Sequence, residues 1–205
     1  MEPLSPVEAR VVACLVEKQR TVPDTYPLTL NALVAACNQS SSRDPIMHLS
    51  DGDVTRAIDS LKARGMARIV HPGAGSRSTK YRHVLDEALG LEEDRLSLLA
   101  ALLLRGPQTA AELRTRTERL HRFDDEDEVV GALEGLAASG HVERDGRRWR
   151  QLLSPSGHDD RHYGAVEVTR TEKQDDPGLS ERLEALEAEV AELRSVVDRL
   201  RPLLD

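Results

Sequence analysis

Between Ser60 and Leu85 the chain carries no aspartate or glutamate, yet the same stretch holds Lys62, Arg64, Arg68, Arg77, Lys80 and Arg82, with His71 and His83 besides. Cations gathered without counter-charges are the chemistry of phosphate binding. Each ammonium or guanidinium that neutralises a phosphate releases condensed counterions, which gives a sequence-independent, salt-sensitive attraction. The run Gly73-Ala74-Gly75-Ser76 inside the stretch leaves room for a phosphodiester backbone to approach. Arg56 lies just upstream, and Arg43 follows Asn38, Gln39 and Ser40, whose side chains also suit phosphate oxygens. Contact with double-stranded DNA is therefore expected from Arg43, Arg56, Lys62, Arg77, Lys80 and Arg82. The opposing signal is Asp51, Asp53 and Asp59: they either repel phosphates near base edges or serve as first-turn acids favoured by a helix dipole.

A second concentration of charge has the other sign. Asp124-Asp125-Glu126-Asp127-Glu128 is a run of five acids, flanked by Arg114, Arg116, Arg119 and Arg122 before it and Arg144, Arg147, Arg148 and Arg150 after it. An acidic face beside a basic one suits docking to another protein through Asp124, Asp125 and Asp127, with a solvated helix start as the alternative. Catalytic chemistry finds no footing. The seven histidines are scattered, and the sequence has no H-E-x-x-H, C-x-x-C, G-x-S-x-G or phosphate loop. Cys14 and Cys37 sit in apolar helical patterns without metal-type spacing, so they read as buried free thiols. No catalytic residue, metal or cofactor is expected, and the chain reads as a binding protein rather than an enzyme.

Positioning these charges requires helices and hairpins. Ser5-Pro6-Val7-Glu8 reads as a capping box opening a helix whose Val7, Val11, Val12, Leu15 and Val16 share a face. After a loop holding Pro23 and Pro27, a second helix spans 29–37, and 38–49 forms an elongated turn. Ser50, with Asp53 three residues on, caps a third helix that ends at Gly65. Residues 66–71 and 79–84 then pair as a hairpin. The plan recurs: the segment from Asp53 to Val70 is echoed from Glu128 to Arg144, with Ile58, Leu61 and Gly65 matching Leu133, Leu136 and Gly140. Helices over 91–105, 109–120 and 125–139 precede a second hairpin turning at Asp145-Gly146. Three helices and a hairpin, twice over, is the order of a tandem winged helix-turn-helix protein.

The C-terminal quarter differs. Residues 154–178 are polar and aperiodic and read as a flexible linker. Beyond them Leu179, Leu183, Leu186, Val190, Leu193, Val197, Leu200 and Leu204 recur at alternating spacings of four and three. Valine at central a positions with leucine at d favours a parallel two-stranded coil, in which Arg182 faces Glu187 and Glu189 faces Arg194 across the pair. A homodimer through Leu186, Val190, Leu193 and Val197 is expected, against the alternative of a helix folded back on its own chain.

One block is more specific than any of these patterns. Glu17-Lys18-Gln19, Tyr26-Pro27-Leu28, Asn31 and Ala36-Cys37-Asn38-Gln39, followed by Arg43 and Pro45, resemble the signature of the YceH-like bacterial proteins, a family of unassigned function. The likeness continues through Leu49-Ser50, Arg77-Thr79-Lys80-Tyr81, Leu102-Leu103-Leu104-Arg105-Gly106, Gln108-Thr109, Glu112-Leu113-Arg114 and Phe123, and on into the coil. It implies tandem winged helices and supplies no catalytic residue, cofactor or substrate. Read physically, Asn31 and Asn38 bond neighbouring backbone, and Arg43 either bonds carbonyls or contacts phosphate.

Composition bounds the rest. A net charge of −8 argues against nucleic acid until it is partitioned: 1–88 is +1, 89–153 is −3 and 154–205 is −6, so the acidity lies at the C-terminal end. Aromatics are only 2%, so Leu, Val, Ile and Ala must build the cores, which favours helices. No membrane span or signal peptide is recognisable, and a cytoplasmic location is expected. The fold expected is mainly α with small β-hairpins (α+β). Two winged helix-turn-helix domains, 1–88 and 89–153, precede the linker 154–178 and a coiled-coil helix 179–205. Two roles stand open: a DNA-associated protein, such as a transcriptional regulator, or a protein–protein adaptor using the acidic face and the coil. A ligand-sensing regulator is a third reading, for which no pocket-forming cluster is visible.

Overall fold

The computed structural model describes residues 2–71 and 78–155. The expected coil, with Leu186, Val190, Leu193 and Val197, the expected linker from residue 156 on and the hairpin tip with Arg77 lie outside the described residues, whereas Ser154, expected to open the linker, is buried and exchanges two bonds with Gln151.

The order is α1 (Pro6–Thr21), a 3-10 turn (Pro23–Thr25), β1 (Leu28–Thr29), α2 (Leu30–Cys37), α3 (Asp51–Ala63), β2 (Ala67–Val70), β3 (Lys80–His83) and α4 (Leu85–Leu89). Then follow α5 (Glu93–Arg105), α6 (Ala110–Thr117), α7 (Glu126–Ala138), β4 (Val142–Asp145) and β5 (Arg148–Gln151). The described residues thus form a mixed α+β protein of seven helices and small antiparallel sheets, within one compact unit, Met1–Asp160.

Helix starts are set by short polar side chains. Ser5, Ser50 and Thr109 each accept a bond from the backbone N–H three residues on, and the Glu8, Asp53 and Glu112 carboxylates each accept one from the cap residue's own N–H. Each box satisfies two donors that a helix start leaves unpaired. α3 and α7 also end alike. Gly65 and Gly140 each adopt φ +71°, and the next residue's N–H reaches back, Met66 to Leu61 O at 2.8 Å and His141 to Leu136 O at 2.9 Å. That left-handed turn aims the chain into each hairpin, and a side chain strains it. Gly65→Ala and Gly140→Ala are each expected to lower unfolding stability by roughly 1–2 kcal/mol, read as a fall in denaturation midpoint at unchanged m-value.

The centre of the fold is α1 against α5. Every residue from Glu8 to Val16 and from Leu96 to Leu104 is buried. The expected single apolar face of α1 is therefore only half the story. Val11, Val12, Leu15 and Val16 are buried, but so are Ala9, Ala13, Cys14 and even Arg10, because α5 covers the side that α2 and α3 do not. Leu4, 1% exposed, adds a backbone bond to Leu153 O at 2.6 Å, so the chain start and the end of the second hairpin meet. Two elements were not expected: β1, which extends the first hairpin to a sheet of order β1-β3-β2, and α4, which spans the expected junction at residue 88.

Candidate nucleic-acid interface

The first hairpin has two unlike faces. Ala67 is buried, and Tyr81 and Ile69 pair on the inner side, while Arg68 stands directly opposite Arg82 and Val70 opposite Lys80 on the outer side. Side chains alternate along a strand, so Arg68, Lys80 and Arg82 share one solvent-facing surface. One carboxylate serves the arginine pair: Glu87 on α4 lies 2.9 Å from Arg68 and 3.7 Å from Arg82, all three being partly exposed. Lys80 has no ion-pair partner among the described residues. Arg68 was not singled out with the other phosphate candidates. The alternation Ala67-Arg68-Ile69-Val70 was the signal that places it outward.

The strand behind this face is fixed from below. The Tyr26 hydroxyl accepts the His83 N–H at 2.9 Å, and the buried His83 ring contacts Gln19 at 2.5 Å through Nε2. Burial holds the His83 imidazole below its ordinary pKa against the pull of Asp86, and the Leu85 N–H bonds its Nδ1 at 3.3 Å, so the ring is a neutral structural strut.

The remaining candidates separate. On α3, Arg56 pairs with Asp53 at 2.5 Å and Lys62 with Asp59 at 3.1 Å, both exposed pairs of the kind that exchange readily in water. Asp53 is committed to the Ser50 capping box. Arg43 is not a phosphate contact. Its side chain is fully buried, donating to Glu17 at 3.1 and 2.6 Å, to Ala36 O at 3.1 and 3.0 Å and to Gln39 at 2.9 Å. The Asn38 amide likewise closes on Leu49, both ways at 2.8 Å. The specific sequence block around these residues is thus the polar lock of the α2–α3 loop, which also reaches α5 through Asp44 N–H to Leu104 O at 2.9 Å.

The second hairpin is the internal contrast. On its outer side Glu143 opposes Arg150 and Asp145 opposes Arg148, and Glu143 and Arg150 form an ion pair. Its inner side buries Trp149, with the Arg144 guanidinium 5.7 Å above the ring. At the start of α7, Asp124, Asp125 and Asp127 are exposed, and no cation among the described residues pairs with them. Asp125 accepts the Glu128 N–H at 2.9 Å and caps the helix, and Arg114 holds the Asp124 backbone carbonyl at 2.5 Å. Cys14 and Cys37 are buried free thiols; the neighbouring Cys14 thiol, together with burial, pushes the Cys37 thiol far up. Among the described residues no cluster of three or more metal-ligating side chains occurs, and no helix is long and apolar enough to cross a membrane.

Comparison with known proteins adds a family. The family described as "Protein of unknown function, DUF480" matches residues 4–147. A UPF0502 protein of Dechloromonas aromatica is 45% identical over 209 residues, covering 95% of this chain and 94% of its own length. A UPF0502 protein of Leptothrix cholodnii is 58% identical over 134 residues, 65% of this chain and 59% of its own. Another, from Pseudomonas syringae pv. tomato, is 40% identical over 205 residues, 96% of this chain and 91% of its own.

Proposed function

The chain belongs to the DUF480 family of proteins of unknown function, and from that premise we propose a non-enzymatic, DNA-associated protein that grips the duplex backbone through its first hairpin. In this reading α1, α2 and α3 with β2–β3 form one winged helix-turn-helix, and α5, α6 and α7 with β4–β5 a second. The first wing carries the contacts.

One observation carries the reading. Like charges directly opposite in a sheet are destabilising, yet Arg68 opposes Arg82 with Lys80 beside them, and the one carboxylate paired with this face among the described residues, Glu87, reaches only the two arginines. A phosphate backbone supplies the missing counter-charge. The equivalent face of the second hairpin alternates acid and base and needs none. Backbone gripping rather than base reading fits α3 as well, since its early acid Asp53 stays in place both in the cap and as partner to Arg56.

A second reading, an adaptor docking through Asp124, Asp125 and Asp127, is favoured by the absence of ion pairs to these exposed acids among the described residues. Titrating a fluorescently labelled random-sequence duplex with the full chain at about 50 mM salt separates the two. Micromolar or tighter binding is the expected result, since non-specific duplex binding of about 1–100 μM at physiological salt strengthens as salt is lowered. An unchanged anisotropy sets DNA aside in favour of the adaptor.

A further inference from the structure

We infer that Glu87 is a built-in competitor for the phosphate, holding Arg68 and Arg82 while the hairpin is empty and leaving them when the backbone binds; this rests on the DNA reading above. The placement is specific. Leu85 is fully buried and roots the short helix α4 in the core, which sets Glu87 against the outer face of the hairpin. From there its two carboxylate oxygens divide between the opposed guanidiniums, 2.9 Å to Arg68 and 3.7 Å to Arg82. The carboxylate is about half exposed, as is Arg68, and an ion pair so open to water is a weak hold. It relieves the repulsion between the arginines without satisfying both, and it occupies the positions that phosphate oxygens need.

Competition predicts opposite signs for two properties of one variant. Glu87→Gln removes the counter-charge, so the free protein loses thermal stability, while the freed cations bind duplex DNA more tightly, by roughly tenfold at about 50 mM salt for one further cation made available. Glu143→Gln is the control. It deletes the same charge from the equivalent face of the second hairpin, where Glu143 serves Arg150, so it also costs stability but leaves DNA affinity within about twofold.

The experiment measures both variants and the wild-type full chain by duplex anisotropy and thermal melting. A gain in affinity confined to Glu87→Gln, with a lower melting temperature, supports the competitor. Equal gains in both variants overturn it, because the effect is then net charge alone. No gain in Glu87→Gln on a wild type that binds also overturns it. Failure of both the wild type and Glu87→Gln to bind refutes the DNA reading itself, and the inference falls with it.

Discussion

Arg43→Met is expected to remove about 3–5 kcal/mol of stability, the range seen when one partner of a buried ion pair is deleted. The side chain is fully enclosed and ties three segments together: Glu17 on α1, the Ala36 carbonyl and Gln39 at the end of α2, and its own loop through Ser42 O at 2.8 Å. Removing it leaves the Glu17 carboxylate, itself largely buried, with only Lys18 at 3.0 Å, and leaves the Ala36 carbonyl with only the weak Cys14 thiol donor at 3.4 Å among side chains. The double variant Glu17→Met/Arg43→Met is expected to be less destabilised than the sum of the single changes, because no orphaned charge remains. Urea unfolding of the four proteins measures this coupling. The same pair shapes the acid limb. Burial raises the Glu17 carboxyl, but the Arg43 bonds and charge, then Lys18, outweigh it and leave it below the ordinary glutamate value. Such a group gives stability that is full above the unfolded-state pKa, about 4.3 for glutamate, and is lost as pH falls through the lower folded value. Glu17→Gln is therefore expected to flatten the loss of stability with acid as well as to lower its plateau.

Reversing the outer face of the first hairpin, Arg68→Glu/Lys80→Glu/Arg82→Glu, is expected to weaken duplex binding by on the order of 100-fold or more at low salt, about 2.7 kcal/mol as a lower bound. Three attractive charges become repulsive on a surface that faces solvent, so the fold has little to lose. The reversal keeps like charges opposed at positions 68 and 82 and makes both contacts to Glu87 repulsive, so a modest fall in melting temperature is expected alongside the loss of binding. The double reversal Arg148→Glu/Arg150→Glu, on the outer face of the second hairpin, is expected to change binding by less than about threefold, since each of these cations already stands opposite an acid. Equal losses from the two hairpins would place the contact elsewhere.

Local rules carried much of the fold from the sequence. The caps at Ser5, Ser50 and Thr109 and the glycines ending both third helices are decided within a turn of chain, and so they are legible. What the sequence hid is non-local. One face of α1 was visible in Val11, Val12, Leu15 and Val16, but the other is lined by Ala9, Ala13 and Cys14, whose small size says little until α5 is seen to fill the space. A hint existed in Leu96–Leu104, which is apolar on nearly every side and so must be covered on every side. The role of Arg43 was equally obscured, because its partner Glu17 lies 26 residues away. For the candidate site, the cations were countable in the sequence, whereas the register that sets Arg68 against Arg82, and the α4 carboxylate between them, are properties of paired strands and an unexpected helix.

A hairpin that grips phosphates must show it in the slope of its salt dependence. Duplex affinity of the wild-type chain would be measured by anisotropy from about 50 to 200 mM salt and plotted as log K against log salt. Three cations on phosphates give a slope of about −2.7, steeper if further cations join, and the hairpin reversal removes that portion. A slope flatter than about −1, or one the reversal leaves unchanged, contradicts the account.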